Sequence, residues 1–508
     1  MRRIKNLITN IVLAAFCAAP MTSCSDWLKV DMEDGIMENT LFEDNEGFLV
    51  ALNGIYSNLN TVYSSFFGMG AIDVMAQYYN VQQNSTHPYY VYANYNYSDS
   101  RFDNASGSLW TNMYNLIANT NLLLSHCDEE GSAISPRYHD MVKGEALALR
   151  AMMHFDMLRF YGPIYSESTA SQSSIAYLEE ANNRDMLPLL PASEVARKVL
   201  RDLNEASSLL AKDSVRTAGV NSSASEDVNE GNDYRYRQYR LNYYAVQTLL
   251  ARAYLWIGDK QQAYNIAKTM IDEVEEQETF PWVTANMATN ASYPDRMFST
   301  EVIFGLYNRS RENLFDDLFA SELEGNALTF VGGVSGETSK VESFYGEGSN
   351  MDYRRRMWEG VTSEEGGGEE GENTPSSTSY FLKYEDITPS SSNSIDYSYR
   401  YMIPLMRMSE VYLIAAECTN DLTEATGYIN AIRLHRNVAD VTPINEDLQD
   451  YITREFAREV IGEGQLFFYY KRHAMTTMIS GTTANATMNM NLSDYVVPLP
   501  TTETNNRQ

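Results

Sequence analysis

Apolar residues return every three or four positions in stretch after stretch of this chain, and that spacing fits one backbone, the amphipathic α-helix. Over residues 44–60 the repeating face is Phe48, Leu49, Leu52, Ile55, Tyr56 and Leu59. Residues 110–124 repeat it with Trp110, Met113, Tyr114, Ile117 and Leu124. The run over 137–161 is the longest, and Gly162-Pro163 stops it, since proline cannot continue a helix. Residues 193–210 open on Ser193 as an N-cap, with Glu194 in the first turn where the helix dipole favours an anion. The third helical position there is Ala196, so the capping box is incomplete. Further helices are expected over 241–257, 260–275, 401–418, 422–436 and 447–464. The fold class expected is all-α.

Some helices come in pairs. Residues 241–275 carry Ala251, Tyr254, Gly258, Ala263 and Ala267. Small residues let two antiparallel helices approach closely, Gly258 makes the turn, and the spacing resembles a tetratricopeptide unit. Residues 412–433 repeat the idea with Ala415, Ala416, Ala425 and Ile429. Hairpins of this kind stack into a curved scaffold. Long loops rich in Tyr, Asn, Ser and Gly interrupt the helices near 73–107, 280–326 and 346–394. Loops of such length in a compact domain are functional or disordered. Residues 362–374, TSEEGGGEEGENT, read as a mobile acidic loop. No linker divides the chain, so residues 24–508 are expected to form one domain with insertions.

Residues 1–23 read as a signal peptide. Arg2, Arg3 and Lys5 precede the mostly apolar stretch 7–19, and Met21-Thr22-Ser23 leads into Cys24. Cys24 is therefore the expected lipidation site, with acyl chains as the membrane anchor. Removing residues 1–23 leaves 35 Lys+Arg against 68 Asp+Glu, a net charge of −33. That excess of acid disfavours nucleic acid and anionic lipid surfaces as partners. Cys127 and Cys418 remain in the mature body, as buried free thiols or as one long-range disulfide.

Several ordered blocks resemble the SusD/RagB nutrient-uptake lipoproteins of the bacterial outer membrane. They are Cys24-Ser25-Asp26-Trp27-Leu28; Trp110, Tyr114, Ile117, Asn119 and Asn121; and Gly144-Glu145-Ala146 with Leu149-Arg150-Ala151, Phe155 and Tyr161-Gly162-Pro163. Then follow Ile403-Pro404-Leu405-Met406-Arg407, Glu410 to Leu413, and Ala416-Glu417, with Asn430, Ile432 and Arg433. Glu455, Glu459, Glu463-Gly464 and Lys471-Arg472 precede the closing YVVPLP, Tyr495 to Pro500. Two departures stand out: Gln465 replaces an arginine common in the family, and a usual aspartate is missing from residues 467–470. The resemblance implies about four tetratricopeptide-like helix pairs forming a superhelix, with a loop-rich ligand-binding region packed on it. It further implies a cell-surface, outer-membrane lipoprotein serving polysaccharide utilisation and nutrient uptake. Such a protein partners a SusC-like TonB-dependent transporter and delivers oligosaccharides or, in some members, peptides.

The candidate ligand-binding residues lie first in the early loop. Between Gln77 and Tyr97 there are seven tyrosines in 21 residues, against 36 in the whole chain. Aromatic rings stack on the C–H faces of sugars, and amide or guanidinium groups satisfy the hydroxyls. Tyr78, Tyr79, Asn80, Tyr89, Tyr90, Tyr92, Tyr95 and Arg101 are the candidates there, joined by Trp282 and Tyr293 from mid-chain, where Tyr307 is also available. Two blander readings compete. The alternating pairs Tyr90/Tyr92 and Tyr95/Tyr97 fit one face of a β-hairpin, and tyrosines also serve protein interfaces.

The acidic run over 364–372 fits either a solvated linker or a steering surface for basic peptides. That keeps peptide import as an alternative, and an interaction lid with little ligand affinity as a second. Catalysis finds little support. The six histidines form no H-E-x-x-H, and no C-x-x-C, G-x-S-x-G or P-loop is present. Glu455, Glu459 and Glu463 at four-residue spacing read as a solvated or salt-bridged face, with Arg454, Arg458 and Lys471 as neighbours in sequence. No catalytic residue, cofactor or metal is expected; the Asp/Asn-rich loops leave room for structural calcium without a defining ligand spacing.

Overall fold

The structure is a computed structural model and describes residues 38 and 40–507, except 184, 221–234, 333–337, 347–350, 362–377, 388–397 and 443–446. The signal peptide, Cys24 and the acidic loop therefore lie outside the described residues. The longer helices are α1 (Asn45–Tyr63), α2 (Ser100–Cys127), α3 (Pro136–Tyr161), α4 (Ala192–Leu209), α5 (Tyr243–Trp256), α6 (Lys260–Gln277), α7 (Met408–Cys418), α8 (Leu422–His435), α9 (Leu448–Glu459) and α10 (Leu466–Arg472). Each helix from α2 to α8 packs on the next, and α9 closes against α7 and α8. This is the mostly helical, tetratricopeptide-like body expected from the periodicity.

Local chemistry sets the helix ends. Asp44 accepts the amide of Gly47 at 3.0 Å, Asn242 that of Ala245 at 3.0 Å, and Asp259 that of Gln262 at 3.1 Å. Gly258 turns α5 into α6 with φ +86°, a conformation that costs glycine little. Three expectations are corrected. Pro191, not Ser193, caps α4, and no side chain closes its first turn. α9 stops at Glu459, so Glu463 lies beyond the helix rather than on it. The expected helix over 401–418 is a strand followed by α7: the unbroken apolar run Met402–Arg407, with Pro404 inside it, pairs with another chain segment.

That pairing belongs to three small antiparallel sheets, which the helical pattern did not announce. The strands are β1 (Val302–Tyr307), β2 (Thr329–Phe330), β3 (Trp358–Val361), β4 (Thr378–Phe381), β5 (Met402–Arg407), β6 (Thr477–Ile479) and β7 (Thr487–Asn489). β1 pairs with β5, β4 lies between β2 and β3, and β6 pairs with β7.

One ionic cluster ties the helical body to these loops. Glu459, at the end of α9, accepts from Arg354 (2.9 Å), Arg407 (3.0 Å) and Arg436 (2.8 Å). Arg436 also holds Glu301 at 2.7 Å, Arg354 holds Asp352 at 2.7 Å, and Glu463 receives Arg407 at 2.7 Å and Lys383 at 2.6 Å. All of these side chains are buried. The glutamate row is salt-bridged, then, but mostly not by its sequence neighbours. Arg458 reaches Glu455 at 3.3 Å, whereas Lys471 donates to the carbonyls of Phe160 and Gly162 and Arg454 lies over Tyr451.

Cys127 and Cys418 are both free and buried, so no disulfide joins them. Burial pushes both thiols up to about 12, leaving almost no thiolate at neutral pH. Neither is expected to react with a disulfide reagent in the folded protein, and both should react once denaturant is added. Rapid labelling of the native chain at either position would contradict this packing.

Candidate ligand cleft

The early tyrosines mostly turn inward. Tyr78 is buried and its hydroxyl donates to the Ala457 carbonyl at 2.6 Å. Tyr79 is buried among Phe319, Phe330 and Phe381, with ring centroids 5.9–6.4 Å away. Tyr92 packs on Phe66 and Phe102, at 6.1 and 5.3 Å. Tyr95 donates to the Met75 carbonyl at 2.7 Å and accepts from Gln77 at 3.0 Å. Tyr97 donates to the carbonyl of Asp494. No hairpin forms: Tyr90–Ala93 is one short helical turn. In this structure, then, Tyr78, Tyr79 and Tyr92 offer no open ring face, and the hydroxyls of Tyr78, Tyr95 and Tyr97 fasten the loop to its surroundings.

The other candidates stay nearer solvent. Asn80 is exposed, and its amide donates to Thr329 at 2.9 Å. Tyr89 and Tyr90 are half-buried. Arg101 is exposed and pairs with Asp99 at 3.0 Å. Tyr293 is half-buried, its carbonyl accepting from Tyr399 at 3.1 Å. Tyr307 is 48% exposed at the end of β1, flanked edge-on by Tyr239 and Tyr401 at 5.6 and 5.4 Å.

Trp282 alone among the candidates lines a large open hollow. This cleft, about 610 Å³, lies where the C-terminal ends of α6 and α8 meet the start of α7. Its rings are Phe280, Trp282, Tyr353, Tyr412 and His435, and Glu275 and Glu278 line it as well. Trp282 lies flat against His435, with centroids 4.6 Å apart and planes 7° from parallel. Tyr412 packs at 5.0 Å, tilted by 57°, and donates its hydroxyl to Glu275. Behind the indole, Arg436 stands 5.5 Å from the ring centroid and is itself held by Glu301 and Glu459. Burial lowers the pKa of His435 and Arg436 adds to that, against the carboxylates of Glu301 and Glu275, which raise it.

No early-loop residue lines this cleft, so the structure does not join the tyrosine segment and Trp282 into one hollow. The residues that sequence reasoning missed are Tyr353, Tyr412, His435, Glu275 and Glu278. Tyr412 stood within a family block, read there as helix. The others carried no local signal, because the hollow exists only once three helices converge. The arrangement offers flat apolar surface edged by acceptors. Among the described residues no group of three or more His, Cys, Asp or Glu stands close enough to hold a metal ion.

A helix-pair scaffold with an aromatic hollow at its helix ends defines a tetratricopeptide-like body carrying an open cleft. The SusD family model matches residues 73–507, and the chain belongs to the SusD family. It is 23% identical to SusD-like protein P25 of Formosa agariphila over 467 residues, covering 84% of this chain and 81% of that protein. SusD-like protein P38 of the same organism is 26% identical over 212 residues, 41% of this chain and only 38% of that protein's length. Surface glycan-binding protein A from Bacteroides thetaiotaomicron shares the fold, with TM-score 0.57 at 15% identity over 92% of this chain and 98% of that one.

Proposed function

We propose that this chain is a non-enzymatic glycan-binding lipoprotein of the outer membrane, facing the cell exterior. It captures oligosaccharide and delivers it to a SusC-like TonB-dependent transporter, with the lipid on Cys24 as its tether. Family membership supports the role, and among the described residues no helix is long and apolar enough to cross a membrane.

The observation that carries the reading is the cleft around Trp282. Trp282, stacked on His435, and the tyrosine rings beside it offer apolar surface to pyranose C–H groups, and the carboxylates and hydroxyls of the cleft accept from or donate to sugar hydroxyls. A glycosidase sets two carboxyls on opposite sides of the scissile bond. Glu275 and Glu278 instead come from one helix end, and Glu455, Glu459 and Glu463 are engaged by buried cations.

Calorimetry against a panel of oligosaccharides tests this. Trp282→Ala is expected to weaken the bound glycan by about 30-fold, the loss of about 2 kcal/mol typical of a central aromatic contact. Tyr90→Ala measures what the early loop adds. Unchanged affinity in Trp282→Ala would move the site elsewhere, and release of shortened sugars by purified protein would make the chain an enzyme.

A further inference from the structure

The same cleft has an electrostatic character that neutral-sugar binding does not need. Glu275 and Glu278 are both exposed, and neither has an ion-pair partner among the described residues. The contact Glu275 does make, from the Tyr412 hydroxyl, is a neutral donor that leaves the charge uncompensated. The C-terminal ends of α6 and α8 add the negative poles of two helix dipoles, and α6 carries no basic residue in its last turn. In the last turn of α8, Arg433 is engaged by Glu455 at 3.3 Å, and the neighbouring Arg436 is spent on Glu301 and Glu459. The N-terminus of α7 reaches the cleft through buried Met408 and brings a positive pole, its first-turn Glu410 being spent on Arg252 at 2.5 Å, so the negative character rests on Glu275, Glu278 and the two C-termini. His435 is the one basic side chain among the described residues of the lining, and burial disfavours its charged form.

Rings and bare carboxylates in one hollow describe the chemistry that recognises an organic cation. Trp282 already carries the Arg436 guanidinium over its ring, so an ammonium gains from the quadrupoles of Tyr353 and Tyr412, and more where the site sheds water. We propose that the cleft selects an oligosaccharide of unacetylated amino sugars, its pyranose face on Trp282 and a protonated primary amine directed to Glu275 and Glu278. This rests on the glycan reading above and names the substrate class. The area of the rings suits a sugar's C–H face, while the carboxylates suit a charge that N-acetylation removes.

The test compares glucosamine oligomers with N-acetylglucosamine oligomers of the same length and linkage, by calorimetry with the full chain, beside a wider panel of neutral and acidic glycans. The amine form is expected to bind about tenfold tighter at low salt, and to lose that margin as ionic strength rises. Glu275→Gln and Glu278→Gln should each shrink the margin, weakening the amine form by more than they weaken the acetylated form. Trp282→Ala should weaken both. Equal affinity for the two forms, or binding confined to neutral or acidic glycans, overturns this inference and leaves the glycan reading intact. No glycan binding at all overturns both. Capture of a lysine-containing peptide, lost in Glu275→Gln, without any response to the amino sugar would replace it with peptide cargo.

Discussion

Replacing Glu459 with alanine is expected to cost the fold about 4 kcal/mol, which for a chain of ordinary marginal stability means little soluble protein. The reason is the number of cations this carboxylate serves. Arg354, Arg407 and Arg436 converge on it within 3.0 Å, and each is buried. Taking guanidinium groups out of water is expensive, and the carboxylate offsets that cost with Coulomb attraction and with hydrogen bonds. Alanine leaves three buried cations short of one partner. Urea denaturation of variant and parent reads the difference. A shift of under about 1 kcal/mol would mean that Glu301, Glu455, Glu463 and Asp352 can absorb the loss, and that the cluster is not cooperative.

The same cluster sets an acid limit. Burial opposes ionisation of Glu459 and Glu455, but the surrounding arginines win and hold both below the ordinary carboxylate value of 4.5. Glu417 is lowered likewise, beside Arg472 and His473. A carboxylate whose folded pKa is depressed contributes stability that is complete above its unfolded value and is lost as pH falls through the folded one. Asp73 and Asp295 act in the opposite sense, since burial raises both, Asp295 to about 6. Asp295 therefore adds stability as pH falls through about 6, while His154, whose burial lowers it to about 3, takes stability away below its unfolded value of 6.5; these two oppose each other between pH 7 and 5, and the denaturation midpoint should drop below 4.5 as the depressed carboxylates are protonated.

Periodicity made the helices legible, because their apolar stripes face one core and the spacing survives in the sequence. It failed at residues 401–407, where a continuous apolar run looks alike on a buried strand and a buried helix; pairing with β1, nearly a hundred residues earlier, decides the matter. The glutamate row was legible as salt-bridged but not as buried, since Arg354, Arg407 and Arg436 come from three separate segments. The tyrosine-rich loop was legible as special, yet composition carries no direction. A tyrosine that stacks on a ligand and one that fastens a loop through its hydroxyl are the same letter. In Tyr78 and Tyr95 the hydroxyl finds a backbone carbonyl, and that partner lies elsewhere in the chain. Trp282 was singled out as a ring at a loop. Its cleft partners Tyr353 and His435 were out of reach, for they meet it only through the packing of α6 against α7 and α8.

Gly464→Ala is expected to destabilise the protein by about 3 kcal/mol or more, through geometry alone. Gly464 has φ +67°, which any side chain adopts at a cost of about 1–2 kcal/mol. A Cβ there would also stand 1.9 Å from the Phe67 carbonyl oxygen and 2.9 Å from that of Gly68. Both obstacles are backbone, so neither can swing aside as a side chain would. What must move instead is the segment itself, and it is held on every side. The Asp73 carboxylate accepts the amides of Gly462 at 2.6 Å and Gly464 at 3.1 Å. Glu463 is gripped by Lys383 and Arg407, and Gln465 accepts from Arg159 at 3.0 Å. Displacing this wedge therefore loosens the ionic cluster as well as the turn. Gly258 supplies the control. Its φ is +86°, but a Cβ there meets nothing within 4 Å, so Gly258→Ala should show the conformational cost alone, about 1–2 kcal/mol. If the two substitutions shift the denaturation midpoint equally, the contact with Phe67 and Gly68 yields easily. The loop after α9 would then be a passive connection and not the piece that locks the early segment onto the helical body.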